Sequence, residues 1–177
     1  MDHNLTLFRF DQDPSLRQLL PLLSVFILTS VAWADEDAEE AALEPGHIVM
    51  HKNPGCACCD IWAEHLKSYG FTVESTEDPQ ILAFKADHGI PGPLMSCHTA
   101  VIDGYFVEGH VPANDILRLL KEKPEHVTGI AVPGMPLGSP GMEHSRPQDF
   151  NTIALLSDGT AYVFESHHAG EDFSKED

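Results

Sequence analysis

His47-Ile48-Val49-Met50-His51-Lys52-Asn53-Pro54-Gly55-Cys56-Ala57-Cys58-Cys59-Asp60-Ile61-Trp62-Ala63-Glu64-His65-Leu66-Lys67-Ser68-Tyr69-Gly70 is the stretch on which the fold turns. His47 to His51 is a short strand candidate, and Asn53-Pro54-Gly55 is turn chemistry. From Asp60 the apolar residues Ile61, Trp62, Leu66 and Tyr69 recur at helical spacing until Gly70 stops the run. The order is strand, cysteine loop, helix. Cys56, Cys58 and Cys59 crowd the loop, and Cys97 completes the four cysteines of the chain. Adjacent cysteines reach disulfide geometry only with strain, because the bond wants Cα atoms ~4.4 to 6.8 Å apart and facing Cβ atoms. The cluster reads as chemical rather than structural.

Outward from this core, Phe71–Ser75 is a second strand, and Asp78-Pro79 opens a helix that runs to about His88 and closes at Gly89. A Gly- and Pro-rich loop carries Met95-Ser96-Cys97-His98 into the strand Thr99–Ile102, and Asp103-Gly104 turns it into Tyr105–Glu108. Pro112 opens a third helix with Ile116, Leu117, Leu119 and Leu120 on one face, ending before Pro124. Gly129 to Glu143 holds four Gly and three Pro and reads as an irregular loop. Asn151–Leu156 and Thr160–Phe164 flank Ser157-Asp158-Gly159 as a terminal hairpin. The pattern βαβαββα followed by that hairpin predicts an α/β fold, a mixed sheet flanked by helices, with an extra C-terminal β-hairpin.

The first 34 residues read as an export signal. Arg9 and Arg17 precede the apolar run Leu19–Leu28, and Ala32-Trp33-Ala34 is a small-x-small cleavage site. The uncharged stretch from Gln18 to Ala34 is shorter than the ~20 residues a spanning helix prefers and contains Pro21, so no stable membrane association is expected after cleavage near Ala34. Residues 35–45 form an acidic flexible leader, 46–168 the domain, and 169–177 a flexible tail. The whole chain carries a formal charge of −18. Such a surface repels nucleic acid and attracts cations.

Cys56-Ala57-Cys58-Cys59 holds a redox spacing, Cys56 to Cys59, plus an extra thiol. A dithiol that follows a strand and enters a helix resembles the presentation used by the thioredoxin fold, where the partial positive charge of the helix N-terminus keeps thiolates ready. Thioredoxin-like oxidoreductases place a cis-proline before the strand that faces the dithiol; this chain has Cys97-His98 there. A fourth thiol is thereby aimed at the other three. Three readings stay open: a Cu(I) site, a Zn(II) site, and a disulfide between Cys97 and a loop cysteine. Four thiolates leave one Zn(II) at a net charge of about −2, whereas thiolates bridging several Cu(I) ions approach neutrality at about four ions. Neighbouring Cys58 and Cys59 suit bridging better than a single tetrahedron, which ranks copper ahead of zinc.

His98 is the nearest harder donor, although alternation along a strand turns it to the opposite face from Cys97. Met135 is a candidate thioether ligand, and Met142 in the same loop reads rather as a packing plug. His110 before Val111-Pro112 is explained equally well by local hydrogen bonds at the start of a helix, and His65 reads as orienting its helix. His3, His47, His167 and His168 read as tail histidines capable of weak Cu(II) capture. No catalytic residues stand out as a Ser-His-Asp set, a phosphate loop or paired carboxylates.

Lys52-Asn53-Pro54-Gly55-Cys56-Ala57-Cys58-Cys59 with Trp62 and His65, Ser96-Cys97-His98-Thr99-Ala100-Val101, Gly104-Tyr105, Glu108-Gly109-His110-Val111-Pro112-Ala113, Ala131-Val132-Pro133-Gly134-Met135-Pro136 and Gly138-Ser139-Pro140-Gly141-Met142-Glu143 follow one another in an order that resembles the CopG-type copper-resistance family of Gram-negative bacteria. The resemblance covers about residues 46 to 165. It implies a periplasmic protein of thioredoxin-like fold, a multinuclear copper cluster on Cys56, Cys58, Cys59 and Cys97, and a possible oxidoreductase role interconverting Cu(I) and Cu(II). Copper ions and other periplasmic copper-handling proteins are the implied partners. The competing classes are a periplasmic thiol-disulfide oxidoreductase and a zinc-stabilised binding module.

Overall fold

The computed structural model describes residues 45–174. The export segment, the acidic leader before Pro45 and the last three residues of the tail lie outside them. Strand β1 (His47–Lys52) buries Ile48, Met50 and Lys52 on one face, the period-2 pattern of a sheet strand. Helix α1 (Ala57–Ser68) crosses over to β2 (Thr72–Glu77), which pairs in parallel with β1. After α2 (Ile81–Asp87), β3 (His98–Ile102) lies antiparallel on the other side of β1 and turns through Asp103-Gly104 into β4 (Tyr105–Glu108). Helix α3 (Ala113–Glu122) returns the chain to β5 (Val127–Ala131), parallel to β4, and β6 (Phe150–Leu156) and β7 (Ala161–His167) close the chain as a hairpin.

The sheet runs β2-β1-β3-β4-β5-β6-β7. The α/β class, a mixed sheet with helices and a terminal hairpin, is the one the sequence predicts; among the described residues the sheet has seven strands where the sequence reading gives six. Among the described residues no helix is long and apolar enough to cross a membrane.

Two elements differ from the sequence reading. Helix α1 begins at Ala57, with Cys56 at the N-cap, so the helix takes in Cys58 and Cys59. Its buried face is Cys59, Trp62, Ala63 and Leu66, while Ile61 is 50% exposed. The stripe at i, i+3, i+4 and i+7 therefore starts at a cysteine that serves as a core hydrophobe.

The second difference is β5, which occupies the start of the stretch read as irregular loop. Val127, Ile130 and Ala131 are buried between β4 and β6, and Gly129 lets the strand approach Phe106: a Cβ there would meet the Phe106 ring and carbonyl at 2.4 Å. A glycine that looks like loop punctuation is here a strand residue under close approach. The bulge between Val127 and Gly129 hides the alternation.

His167 also departs from its reading as a tail histidine. It ends β7, is buried, and sits between Asp115 of α3 (Nε2 to Oδ2, 2.9 Å) and Glu171 (Nδ1 to Oε2, 3.2 Å). Thr152 donates its hydroxyl to the same Asp115 oxygen at 2.5 Å, and the Phe173 ring stands edge-on to the imidazole. Burial disfavours the charged ring, but the Asp115 and Glu171 carboxylates outweigh it and raise the pKa above the ordinary value of 6.5. A raised folded pKa adds stability that is fully present below the unfolded value and is lost as pH rises through the folded one. Replacement His167→Gln should therefore cost melting temperature below about pH 6 and progressively less above neutrality. Thermal melts of both proteins across that range check it, and a pH-independent difference would refute the charged pairing.

Candidate metal centre

The cysteine loop is fixed at both ends by charge and backbone bonds. Lys52, only 6% exposed, donates to both Asp60 oxygens of α1's first turn at 2.7 and 2.8 Å. Glu77 at the end of β2 accepts the Gly55 N–H at 3.0 Å. Asn53 donates its backbone N–H and its amide Nδ2 to the Cys97 carbonyl, at 3.3 and 3.2 Å. The loop is thus tied directly to the segment that carries the distant cysteine.

This framework brings the four sulfurs of Cys56, Cys58, Cys59 and Cys97 within 4.8 Å of one another. Cys59 and Cys97 are buried and 3.4 Å apart; Cys56 and Cys58 are half-buried and 3.5 Å apart. The sequence reading set a disulfide between Cys97 and a loop cysteine as an alternative. The bond instead joins Cys56 to Cys59, while Cys58 and Cys97 are free thiols. One turn at the start of α1 sets those two Cα atoms 5.4 Å apart, inside the usual range, so the loop pair closes without the distant cysteine.

Cys97 lies 3.4 Å from Cys59 and within 4.8 Å of Cys56, so the free thiol stands against the bonded pair and the sulfurs form a compact group.

His110 is the member that sequence reasoning ranked too low. Its Nδ1 faces the Pro140 carbonyl at 2.7 Å, which assigns the proton there and leaves Nε2 as an acceptor 3.1 Å from the Cys97 sulfur. Its place two residues after strand β4, in Glu108-Gly109-His110, was the available signal. His98 does not turn away from Cys97 as alternation suggests: it is fully buried, its Nδ1 is 3.4 Å from the Cys97 sulfur, and its ring packs on Trp62 and edge-on to His110. The His98 Nε2 is buried with no hydrogen-bond partner among the described residues. Cys97, His98 and His110 form a second group of donor atoms within 4.8 Å.

Burial pushes the Cys97 thiol up to about 12, and the nearby Cys58 sulfur adds to the effect. Burial also drives His98 well below its ordinary value, helped by His110 and Lys85, and lowers His110 despite the Pro140 carbonyl. The pocket therefore holds neutral donors that a soft cation can convert by displacing the thiol proton. Four sulfurs with imidazole nitrogens beside them are a donor set suited to copper once the Cys56–Cys59 bond is reduced.

Met135 is 52% exposed, and its neighbour Gly134 accepts from the Ser96 hydroxyl through its carbonyl; Met142 is half-buried. His65 orients a helix, though not its own: its Nε2 accepts the Ala113 N–H at the start of α3, and burial holds its pKa at about 4. The loop after β5 closes over the centre through Gly141. At φ +83° it approaches so closely that a Cβ would lie 2.7 Å from the Cys58 carbonyl and 2.9 Å from the Trp62 nitrogen.

A family model described as "Protein of unknown function, DUF411" matches residues 94–142, which include Cys97, His98, His110 and Gly141. No curated protein matches the chain. Two solved structures are similar to it. "Copper resistance protein copG- Form 1" is 43% identical with a TM-score of 0.67, over 71% of this chain and 100% of that one. "Copper resistance protein copG- Form 2" is 44% identical with the same TM-score, over 70% and 99%.

Proposed function

The chain belongs to the copper-resistance CopG family, and from that premise we propose that it is an exported periplasmic protein, cleaved near Ala34, that binds copper through Cys56, Cys58, Cys59 and Cys97. The observation that carries this reading is the convergence of four sulfurs within 4.8 Å, on two half-buried and two buried cysteines. With the disulfide reduced, the thiolates hold more than one Cu(I) in bridged positions, because crowded sulfurs share ions more readily than they complete one tetrahedron. His110 and His98 stand beside Cys97 as nitrogen donors, the harder ligands that a site interconverting Cu(I) and Cu(II) needs. Cys97 gives up its proton to solvent on loading, and its sulfur then stands 3.1 Å from the His110 Nε2 as a second donor.

The Cys56–Cys59 bond favours a second reading, a thiol-disulfide oxidoreductase, because that spacing and its N-cap position are those of a redox dithiol. Anaerobic titration of the reduced protein against a Cu(I) chelator separates the two. More than one tightly held Cu(I) per chain is expected; one ion or none would refute the cluster. A chain that takes up no Cu(I) but reduces insulin would belong to the second class.

A further inference from the structure

We propose that the buried Glu108 side chain, its charge balanced by Lys85, is the positioning device that holds Cys97 at the sulfur cluster. Lys85 lies on α2 and Glu108 at the end of β4; they are 1% and 0% exposed, and Nζ to Oε1 is 2.5 Å. The Glu108 carboxylate grips the chain on both sides of Cys97. Oε1 accepts the Ser96 backbone N–H at 2.5 Å, and Oε2 accepts the Thr99 hydroxyl at 2.5 Å. Lys85 donates to the same Thr99 oxygen at 2.8 Å, so the network is closed. Glu108 stands directly across the β3–β4 ladder from Thr99, which fixes the carboxylate in register.

Burying two opposite charges gains little stability over two well-packed apolar side chains, and replacing such a pair is often neutral or stabilising. What an apolar pair lacks is the grip on Ser96 and Thr99. Cys97 fills the position at which thioredoxin-like oxidoreductases carry a proline, so no proline ring sets the course of the segment entering β3. The carboxylate supplies that constraint instead, and the paired lysine leaves the surroundings of the thiols without an added net charge. The end of β4 then holds Cys97 twice: Glu108 through the backbone and, two residues on, His110 against the sulfur.

The proposal rests on Cys97 being a working thiol of the cluster, and its test includes a readout that needs no copper. In the oxidised protein, Cys97 and the half-buried Cys58 are the free thiols, so iodoacetamide labelling resolved by peptide mass spectrometry follows each separately. The double replacement Lys85→Met with Glu108→Leu should leave far-UV circular dichroism and Cys58 labelling unchanged, yet label Cys97 about tenfold faster or more, a factor of ten being ~1.4 kcal/mol. After reduction it should also hold less Cu(I). The pair Lys85→Met with Glu108→Gln keeps an acceptor for Ser96 and should protect Cys97 as the wild type does. A folded Leu variant with wild-type Cys97 labelling overturns the proposal, and so does a Gln variant that labels as fast as the Leu variant. If the Leu variant does not fold, the Gln variant decides alone: wild-type protection supports the grip and accelerated labelling overturns it.

Discussion

Protein kept oxidised, with the Cys56–Cys59 bond intact, is expected to bind Cu(I) at least about 100-fold more weakly than the same protein reduced, a difference of ~2.7 kcal/mol. A disulfide sulfur is no thiolate, so the bond removes two of the four soft donors. Of the two that remain, Cys97 is buried and keeps its proton up to about 12. Reduction restores both loop thiols, and none of the bonds that Lys52, Asn53 and Glu77 make to the loop involves a disulfide sulfur. Paired anaerobic competition titrations, with free thiols counted in each sample, measure the ratio. Equal uptake by the two forms would place the copper ligands elsewhere.

The second large effect is expected from Cys97→Ser, which should lower the number of Cu(I) ions held or weaken binding by about tenfold or more, ~1.4 kcal/mol at least. A hydroxyl in that buried position is a hard donor that stays protonated, and the His110 Nε2 beside it then accepts from an oxygen in place of sulfur. The replacement is close to isosteric, so the fold and the Cys56–Cys59 pair should persist, which a thiol count and a melting curve verify. If Cys97→Ser titrates like the wild type, the distant cysteine is not a ligand and the donor set reduces to the loop.

The parts of this centre differ in how legible they are in the residues. Strand, cysteine loop and helix follow from local signals: Pro54-Gly55 before the cysteines, Gly70 after them, and an apolar stripe between. Cys97 is legible because a thioredoxin-like order leaves one position facing the dithiol and a cysteine fills it. His110 is less so, since its significance depends on the Pro140 carbonyl thirty residues away choosing its tautomer. Lys85 is nearly invisible, because a lysine on a short helix ordinarily faces water and only the partners Thr99 and Glu108 explain its burial. Strand β5 escapes because its Gly129 and its bulge erase the alternation by which strands are found. Local chemistry is read directly from sequence; contacts between remote residues are not.

The two outer strands of the sheet bear on how this chain behaves in a crowded compartment. An open seven-stranded sheet has two rims of unpaired backbone groups, each a template on which another molecule can lay a strand and begin an aggregate. At one rim, β2 is almost wholly exposed and carries Glu74 and Glu77, so an incoming copy of the same acidic chain meets like charge. At the other, the irregularity between Thr152 and Ile153 throws β7 out of even register with β6, although Tyr162 and Val163 lie open to solvent. One rim is guarded by repulsion and the other by misfit, two separate devices against strand pairing at an open edge.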